Sequence, residues 1–392
     1  MSSLPNIVIL GDYERALRRF SDWGKLEKQA NLTFHHEPLR DEALYEAVKN
    51  ADAIAIVRDR SPFNEALIAR LPRLKFLMFT GERNGTLDSK ALLARNIPIA
   101  VTPGGPSKET TAELKWTLIL GAAKRLVEEN KLISAGGWRD ELSVLPMLAG
   151  ERLGVMGLGS IGSRVARVGA AFGMEVVTWS PNMTPERAAL ENAKAVSLDE
   201  LLSTSKVVTM HLVAGPGTKG LISANQLALM RPDSILVNTS RAALMNMDDL
   251  QKALAAGRPR QAAIDVFDIE PLPISDPLRN TPNLLVTPHL GFIAEPIFEN
   301  CSNRLTLANH SLKQLNIIND GTVKSSKYSC VANFLNNCLT PMGQRKFLYN
   351  FLNPVYDATY LQREYDITEH FMYHFDFYNV FLKSNLSTIK DM

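Results

Sequence analysis

Three side chains of different chemistry follow strand-like runs in the second half of the sequence. Arg241 stands in VNTSRAAL, Glu270 in DVFDIEPLP and His289 in NLLVTPHLG. An imidazole changes protonation near neutral pH, so His289 can give or take a proton. A carboxylate on its far ring nitrogen would fix the tautomer and stabilise the imidazolium, a part open to Glu270. A guanidinium fork grips a carboxylate through two parallel hydrogen bonds, which suits Arg241. Taken singly, each residue has a plainer reading. An Arg at a strand end is usually solvated, a His after Thr-Pro usually sits in a turn, and Glu270 before Pro271 could be an ordinary loop acid.

A glycine pattern upstream changes the weighting. Gly157, Gly159 and Gly162 form G-x-G-x-x-G in VMGLGSIG. Alone the pattern is weak, because glycine-rich strand–helix turns also produce it. Here it follows an apolar strand, Leu153–Met156, and opens a helical pattern, Ser160–Phe172. The first glycine permits a tight turn, the second lets backbone approach a pyrophosphate, and the third lets helix and strand pack closely. The helix terminus then offers N–H groups and a partial positive charge to the phosphates. Hydride transfer between a hydroxy acid and a nicotinamide needs a cation for the substrate, a proton donor and acceptor, and a group that orients it. Arg241, His289 and Glu270 supply that set.

One element is missing. An acid about 20 positions past the glycines normally holds the adenine ribose. EVVTW ends at Trp179 and is followed by Ser180, Pro181 and Asn182, with Glu186 too far along. Ser180, Asn182 and Thr184 could hydrogen-bond a ribose without repelling a 2′-phosphate, and Arg187 could reach one. NAD is expected as the cofactor, with NADP left open.

These residues need a scaffold that gathers loops. In the first hundred residues NIVIL, LTFHH, DAIAIV, LKFLMF and IPIAV read as buried parallel strands, with helical patterns such as DEALYEAVKN between them. One long helix is expected over 109–135, stopped by GGW at 136–138. A second βαβ series runs through RLGVM, EVVTW, KVVTMHL, SILVNTS, QAAIDV and NLLVTP. Ligands of open α/β sheets bind outside the carboxyl ends of strands, which is where Arg241, Asp265, Glu270 and His289 fall.

The length, 392 residues, exceeds what one core usually serves. A net charge of +2 gives no electrostatic case for nucleic acid or anionic membrane. The N-terminal apolar run is too short for a secretory signal, and no run approaches a membrane span. Cys301, Cys330 and Cys338 form an odd, sparse set, which fits a reducing cytoplasm better than a disulfide framework. No zinc spacing is present. After residue 300 lie 14 of the 29 aromatic residues but only two glycines, so the tail looks like differently sourced material.

The chain is similar to the D-isomer-specific 2-hydroxyacid dehydrogenases. GLGSIG, LVNTSRAALMN, AAIDVFDIEPLP and DPLRNTPNLLVTPHLG carry the resemblance, with RDRSPF and TGERNGTLD near the start, over about residues 5–295. It implies an α/β fold of two Rossmann-like, doubly wound parallel-sheet domains with a cleft between them. It implies catalytic roles for Arg241, Glu270 and His289, and a nicotinamide-carboxamide role for Asp265. Ser160, Ile161, Thr239 and Gly291 complete the expected cofactor contacts. Substrate contacts are expected from Arg58, Arg60, Ser61, Phe63, Glu82, Arg83 and Asn84, and a homodimer is expected. The corresponding division is a flavodoxin-like substrate domain over 1–107 and a nucleotide-binding domain over 108–292. The spacing Ile297, Cys301, Leu305, Ala308, Leu312 allows a return helix over 293–315, and an extension of unknown role fills 316–392.

The chain departs from the family's pattern at Ser180 and at Ala242, where a glycine usually follows the arginine. In the tail, His370 and His374 share a helical face but lack the further ligands a metal needs. The leading expectation is interconversion of a D-2-hydroxy acid and its 2-oxo acid. The alternative is a catalytically idle NAD(P)-binding interaction or sensor protein, with the tail as its interaction element.

Overall fold

The structure is a computed structural model, and it describes residues 4–81, 83–102, 105–140, 143–303, 306–307 and 362. The chain divides into two compact units, one of 1–105 with 295–392 and one of 106–294. Cys330, Cys338, His370, His374 and nearly all of the 316–392 extension lie outside the described residues.

The first unit holds β1 (Asn6–Leu10), β2 (Asn31–His35), β3 (Ala53–Ile56), β4 (Phe76–Phe79) and β5 (Ile99–Val101). All pair in parallel, in the order β5-β4-β3-β1-β2. The order reverses between β1 and β3, so the loops beginning at Gly11 and Val57 flank its switch point. Val8, Leu10, Ile54, Ile56 and Leu77 join Leu44, Ile68 and Leu92 in one core.

The second unit holds β6 (Arg152–Met156), β7 (Glu175–Trp179), β8 (Lys194–Ala195), β9 (Val207–Met210), β10 (Ile235–Asn238), β11 (Gln261–Ile264) and β12 (Leu284–Val286). They form one parallel sheet, ordered β12-β11-β10-β9-β6-β7-β8. Successive strand residues face opposite ways, so Val207 and Val208 enter different cores. Covering both faces is what makes these strands continuous apolar runs rather than alternating ones. The order reverses between β6 and β9, which opens a crevice beyond Met156 and Met210.

Two helices depart from expectation. The 109–135 segment is not one helix but two, Ser107–Ala123 and Leu126–Ser134. Arg125 between them has φ 47°, a left-handed conformation. Local propensity favours continuation through AAKRL; tertiary burial decides otherwise. The first helix buries Ala112, Trp116, Ile119 and Ala123 over β10 and β11, while the second buries nothing. Gly136, with φ 85°, then ends the second helix.

The return helix is also shorter than its apolar spacing allows. It covers Glu295–Asn303, and Thr306–Leu307 forms β13, antiparallel to β5. The open edge of β5 offers unpaired backbone groups, and β-branched Thr306 suits a strand. Phe298 of this helix stacks on Phe20 of the Leu17–Phe20 helix at 6.1 Å between centroids. Among the described residues, no helix is long and apolar enough to cross a membrane.

Candidate active site

The turn after β6 is shaped by its glycines. Gly157 has φ 96°, and a β-carbon there would lie 3.2 Å from the backbone of His211 at the end of β9. A β-carbon on Gly162 would lie 2.0 Å from the Gly157 carbonyl oxygen, so helix and turn touch backbone to backbone. At Gly159 a β-carbon would meet nothing within 4 Å, which leaves that stretch open to a ligand. The helix Gly162–Ala171 starts here without a side-chain cap on Ile161. Its leading N–H groups, near Ser160 and Ile161, are then available to a phosphate.

After β7, Ser180 is half-buried and Asn182 exposed. The Arg187 guanidinium donates to the Asn182 carbonyl at 2.6 Å, and Thr184 caps the following short helix. This loop therefore combines a tethered cation with hydroxyl groups.

At the end of β10, Asn238 clamps the loop that carries Arg241. Its amide donates to the Arg241 carbonyl at 3.0 Å and accepts from the Ser240 N–H at 2.9 Å. Arg241 itself is extended and exposed, with Nη1 donating to the Ser240 carbonyl at 2.8 Å. Ala242 does not crowd this turn. It lacks a positive φ and packs its methyl group into the apolar core beside Leu244. Thr239 Oγ1 is buried with no hydrogen-bond partner, an orphaned group suited to a ligand.

Asp265 follows β11 directly and is fully buried. It accepts from Thr287 Oγ1 at 2.6 Å, Leu290 N–H at 2.8 Å and Gly291 N–H at 3.0 Å. Burial pushes its carboxyl up, and these hydrogen bonds and the His289 charge only partly oppose that. The same bonds tie the loop after β12 to β11 and so place His289.

His289 Nδ1 and Glu270 Oε2 are 2.6 Å apart. The other Glu270 oxygen accepts from the Phe267 N–H at 2.9 Å. Burial pushes the Glu270 carboxyl up, but the His289 hydrogen bond and charge, the Phe267 N–H and Arg241 outweigh it, so the net direction is down. His289 has φ 55°, uncommon for a residue with a side chain, and its ring meets Phe292 edge-on at 5.6 Å. Glycine fingerprint, orphaned Thr239 and buried Asp265 together fit a dinucleotide, and Arg241, Glu270 and His289 share the same sheet end.

In the first unit, Arg58 (φ 54°) follows β3, and its guanidinium lies against Gly81. Asn84 donates to the Arg58 carbonyl at 2.8 Å, and Arg83 is exposed. Arg60 is committed to Glu14 through bonds of 2.6 and 2.7 Å and to Tyr13 beneath its guanidinium. Ser61 and Phe63 are buried. Glu82 lies outside the described residues.

Two residues at the nucleotide end escaped the sequence reading. Lys115 is fully buried and donates to the Met210 carbonyl at 2.9 Å. His211, just after β9, places Nε2 3.1 Å from Thr209 Oγ1. The signal for Lys115 was present: with Ala112, Trp116 and Ile119 it falls on one helical stripe.

Residues 116–291 match the family model described as D-isomer specific 2-hydroxyacid dehydrogenase, NAD binding domain. The chain is 35% identical over 262 residues to a glyoxylate reductase of Aeropyrum pernix, covering 65% of this chain and 77% of that one. It is 31% identical to a D-3-phosphoglycerate dehydrogenase of Methanocaldococcus jannaschii, covering 72% of this chain but 52% of that one, so it spans about half of that longer relative. A crystal structure of a phosphoglycerate oxidoreductase from Vibrio cholerae superposes with a TM-score of 0.70 at 33% identity, covering 76% of this chain and 95% of that one. With the fold, the glycine turn and these likenesses in agreement, the chain belongs to the NAD(P)-dependent D-isomer-specific 2-hydroxyacid dehydrogenase family.

Proposed function

We propose that this chain interconverts a small D-2-hydroxy acid and the matching 2-oxo acid. The observation that carries the proposal is the 2.6 Å contact between His289 and Glu270, at the sheet end that also carries Arg241. With Nδ1 engaged by the carboxylate, the other ring nitrogen is left for substrate. A nicotinamide held at the glycine turn, Thr239 and Asp265 would supply or accept the hydride at C2. In oxidation, neutral His289 takes the hydroxyl proton; in reduction, protonated His289 returns a proton to the carbonyl oxygen. Glu270 holds the tautomer and balances the imidazolium. Arg241 grips the substrate carboxylate and stabilises charge developing on the oxygen. We assign further substrate contacts to Arg58, Arg83 and Asn84, and the support of their loop to Arg60 and Ser61.

The test is oxidation of NADH and NADPH by the purified chain with glyoxylate, hydroxypyruvate, pyruvate and bulkier 2-oxo acids. Turnover of at least one is expected. Nucleotide binding without turnover across the panel would instead favour a non-catalytic binding protein.

The loop after β7 supports weak discrimination between the two cofactors. Ser180→Asp places a carboxylate where a 2′-phosphate would sit, and should shift preference toward NADH. NADPH binding that survives this change undiminished would show that the ribose site lies elsewhere.

The assembly we propose is a homodimer. Leu126, Ile133, Trp138, Val144 and Met147 are exposed apolar side chains concentrated in one stretch of the second unit, which supports self-association through it. The solution mass should be twice that of the chain, and a monomer at micromolar concentration would refute it.

A further inference from the structure

Lysine is among the residues least often buried without a partner, yet Lys115 is wholly enclosed. Its ammonium donates to the Met210 carbonyl at 2.9 Å, and Ser240 Oγ donates to the same oxygen at 2.7 Å. Met210 ends β9, and the next peptide, at His211, is the one against which Gly157 packs. One carbonyl thus joins the Ser107–Ala123 helix, β9 and the loop after β10, directly beneath the glycine turn. A serine or threonine could satisfy that carbonyl without bringing a charge. The cation has a counterpart in Asp265, the buried carboxylate just after β11 that attracts it.

We infer that Lys115 is a positioning residue for the nicotinamide end of the cofactor site, fixing the Met210–His211 peptide while its charge balances Asp265. The inference rests on the dehydrogenase reading. Burial holds the Lys115 ammonium down to about 7, with Asp265 pulling the other way, so its charge changes near neutrality. The titratable groups facing it are His211 from β9, held neutral by burial and by Lys115 itself, and Asp265 from β11. His289 acts on Asp265 from beyond. On its own helix the neighbouring charges Lys108, Glu109 and Glu113 are at exposed positions.

A cation here opposes the positively charged oxidised nicotinamide more than the neutral reduced one. Binding of the oxidised cofactor relative to the reduced one should therefore improve between pH 6 and 8.5, as the ammonium loses its proton. The part of that dependence owed to Lys115 should vanish in Lys115→Met, measured by fluorescence titration of both cofactor forms. Removing one partner of a buried charge pair is commonly destabilising, so Lys115→Met is compared only at temperatures where its circular dichroism matches that of the wild type, and the NMR titration below, made on the wild type alone, does not depend on it. A second measurement needs no cofactor. The folded value of Lys115 lies below that of an unfolded lysine, so the folded chain binds fewer protons across that window. Stability of the wild type relative to Lys115→Met should rise between pH ~7 and ~10. Titration of the lysine side-chain NMR signals of the wild type should show one midpoint near neutrality. Parallel stability curves, with every lysine titrating near its ordinary value, would overturn the inference. So would cofactor binding with the same pH dependence in both proteins. A wild type that binds neither cofactor form would overturn the dehydrogenase reading itself.

Discussion

His289→Gln lowers turnover by roughly 10²–10⁴-fold in both directions, the usual worth of a positioned acid–base group. Nucleotide affinity should change far less, because Asp265 and the glycine turn are untouched. The companion change is Glu270→Gln. In the wild type, the net downward direction at Glu270 keeps it anionic across the working range and beside the imidazole. Removing that anion destabilises the imidazolium. Reduction needs the imidazolium, so the pH above which reduction fails should move down. Oxidation needs the neutral ring, so it should persist to lower pH than in the wild type. A pair of pH–rate profiles in each direction measures both shifts. Superimposable profiles for wild type and Glu270→Gln would mean that the observed contact carries no catalytic weight, and a His289→Gln enzyme with near-normal turnover would remove the acid–base assignment altogether.

Gly162→Ala should sharply weaken nucleotide binding. Its new methyl carbon would lie 2.0 Å from the Gly157 carbonyl oxygen, a backbone atom with no rotamer to escape into. Relief requires the helix Gly162–Ala171 to move off β6, and with it the N–H groups we propose for the pyrophosphate. Overpacking of this kind costs about 1–3 kcal/mol in stability, sometimes more. The expected result is a lower midpoint of thermal unfolding and an affinity for NADH reduced by at least roughly tenfold, the equivalent of 1.4 kcal/mol. Gly159→Ala is the control, since its β-carbon meets no protein atom within 4 Å. It should leave stability near the wild type while still weakening nucleotide binding. Full NADH affinity in Gly162→Ala would show that the dinucleotide does not rest on this turn.

Strand positions were the most legible feature of the sequence, because parallel strands covered on both faces must be apolar throughout. KVVTMHL and SILVNTS contain β9 and β10, whose residues are all buried. Helix ends were less legible. Nothing in AAKRLV announces the left-handed Arg125, since only the extent of the sheet underneath decides where burial stops. Likewise Thr306–Leu307 falls inside an apolar spacing that suits a helix, and only the open edge of β5 explains its strand. At the candidate site, His289 and Glu270 could be paired from residue chemistry alone, as could the glycines with a phosphate turn. The place of Asp265 after a strand was legible from the apolar runs, but its role entered through family likeness. Lys115 was lost because a lone lysine in a helix is ordinarily assigned to solvent, although its neighbours at positions 112, 116 and 119 share its buried face.

The discontinuity of the first unit has a consequence for how the chain can be made and cut. Residues 106–294 form an uninterrupted insertion within the 1–105 and 295–392 segments. A gene fragment encoding 106–294 therefore carries all seven strands of its sheet. A fragment ending at 105 carries five strands of the other sheet but neither the helix bearing Phe298 nor the edge partner of β5. During synthesis from the N-terminus, that first sheet must wait for nearly two hundred further residues, roughly 10–40 s at ribosomal speed, before its last pieces emerge. Until then the β5 edge lacks its antiparallel partner.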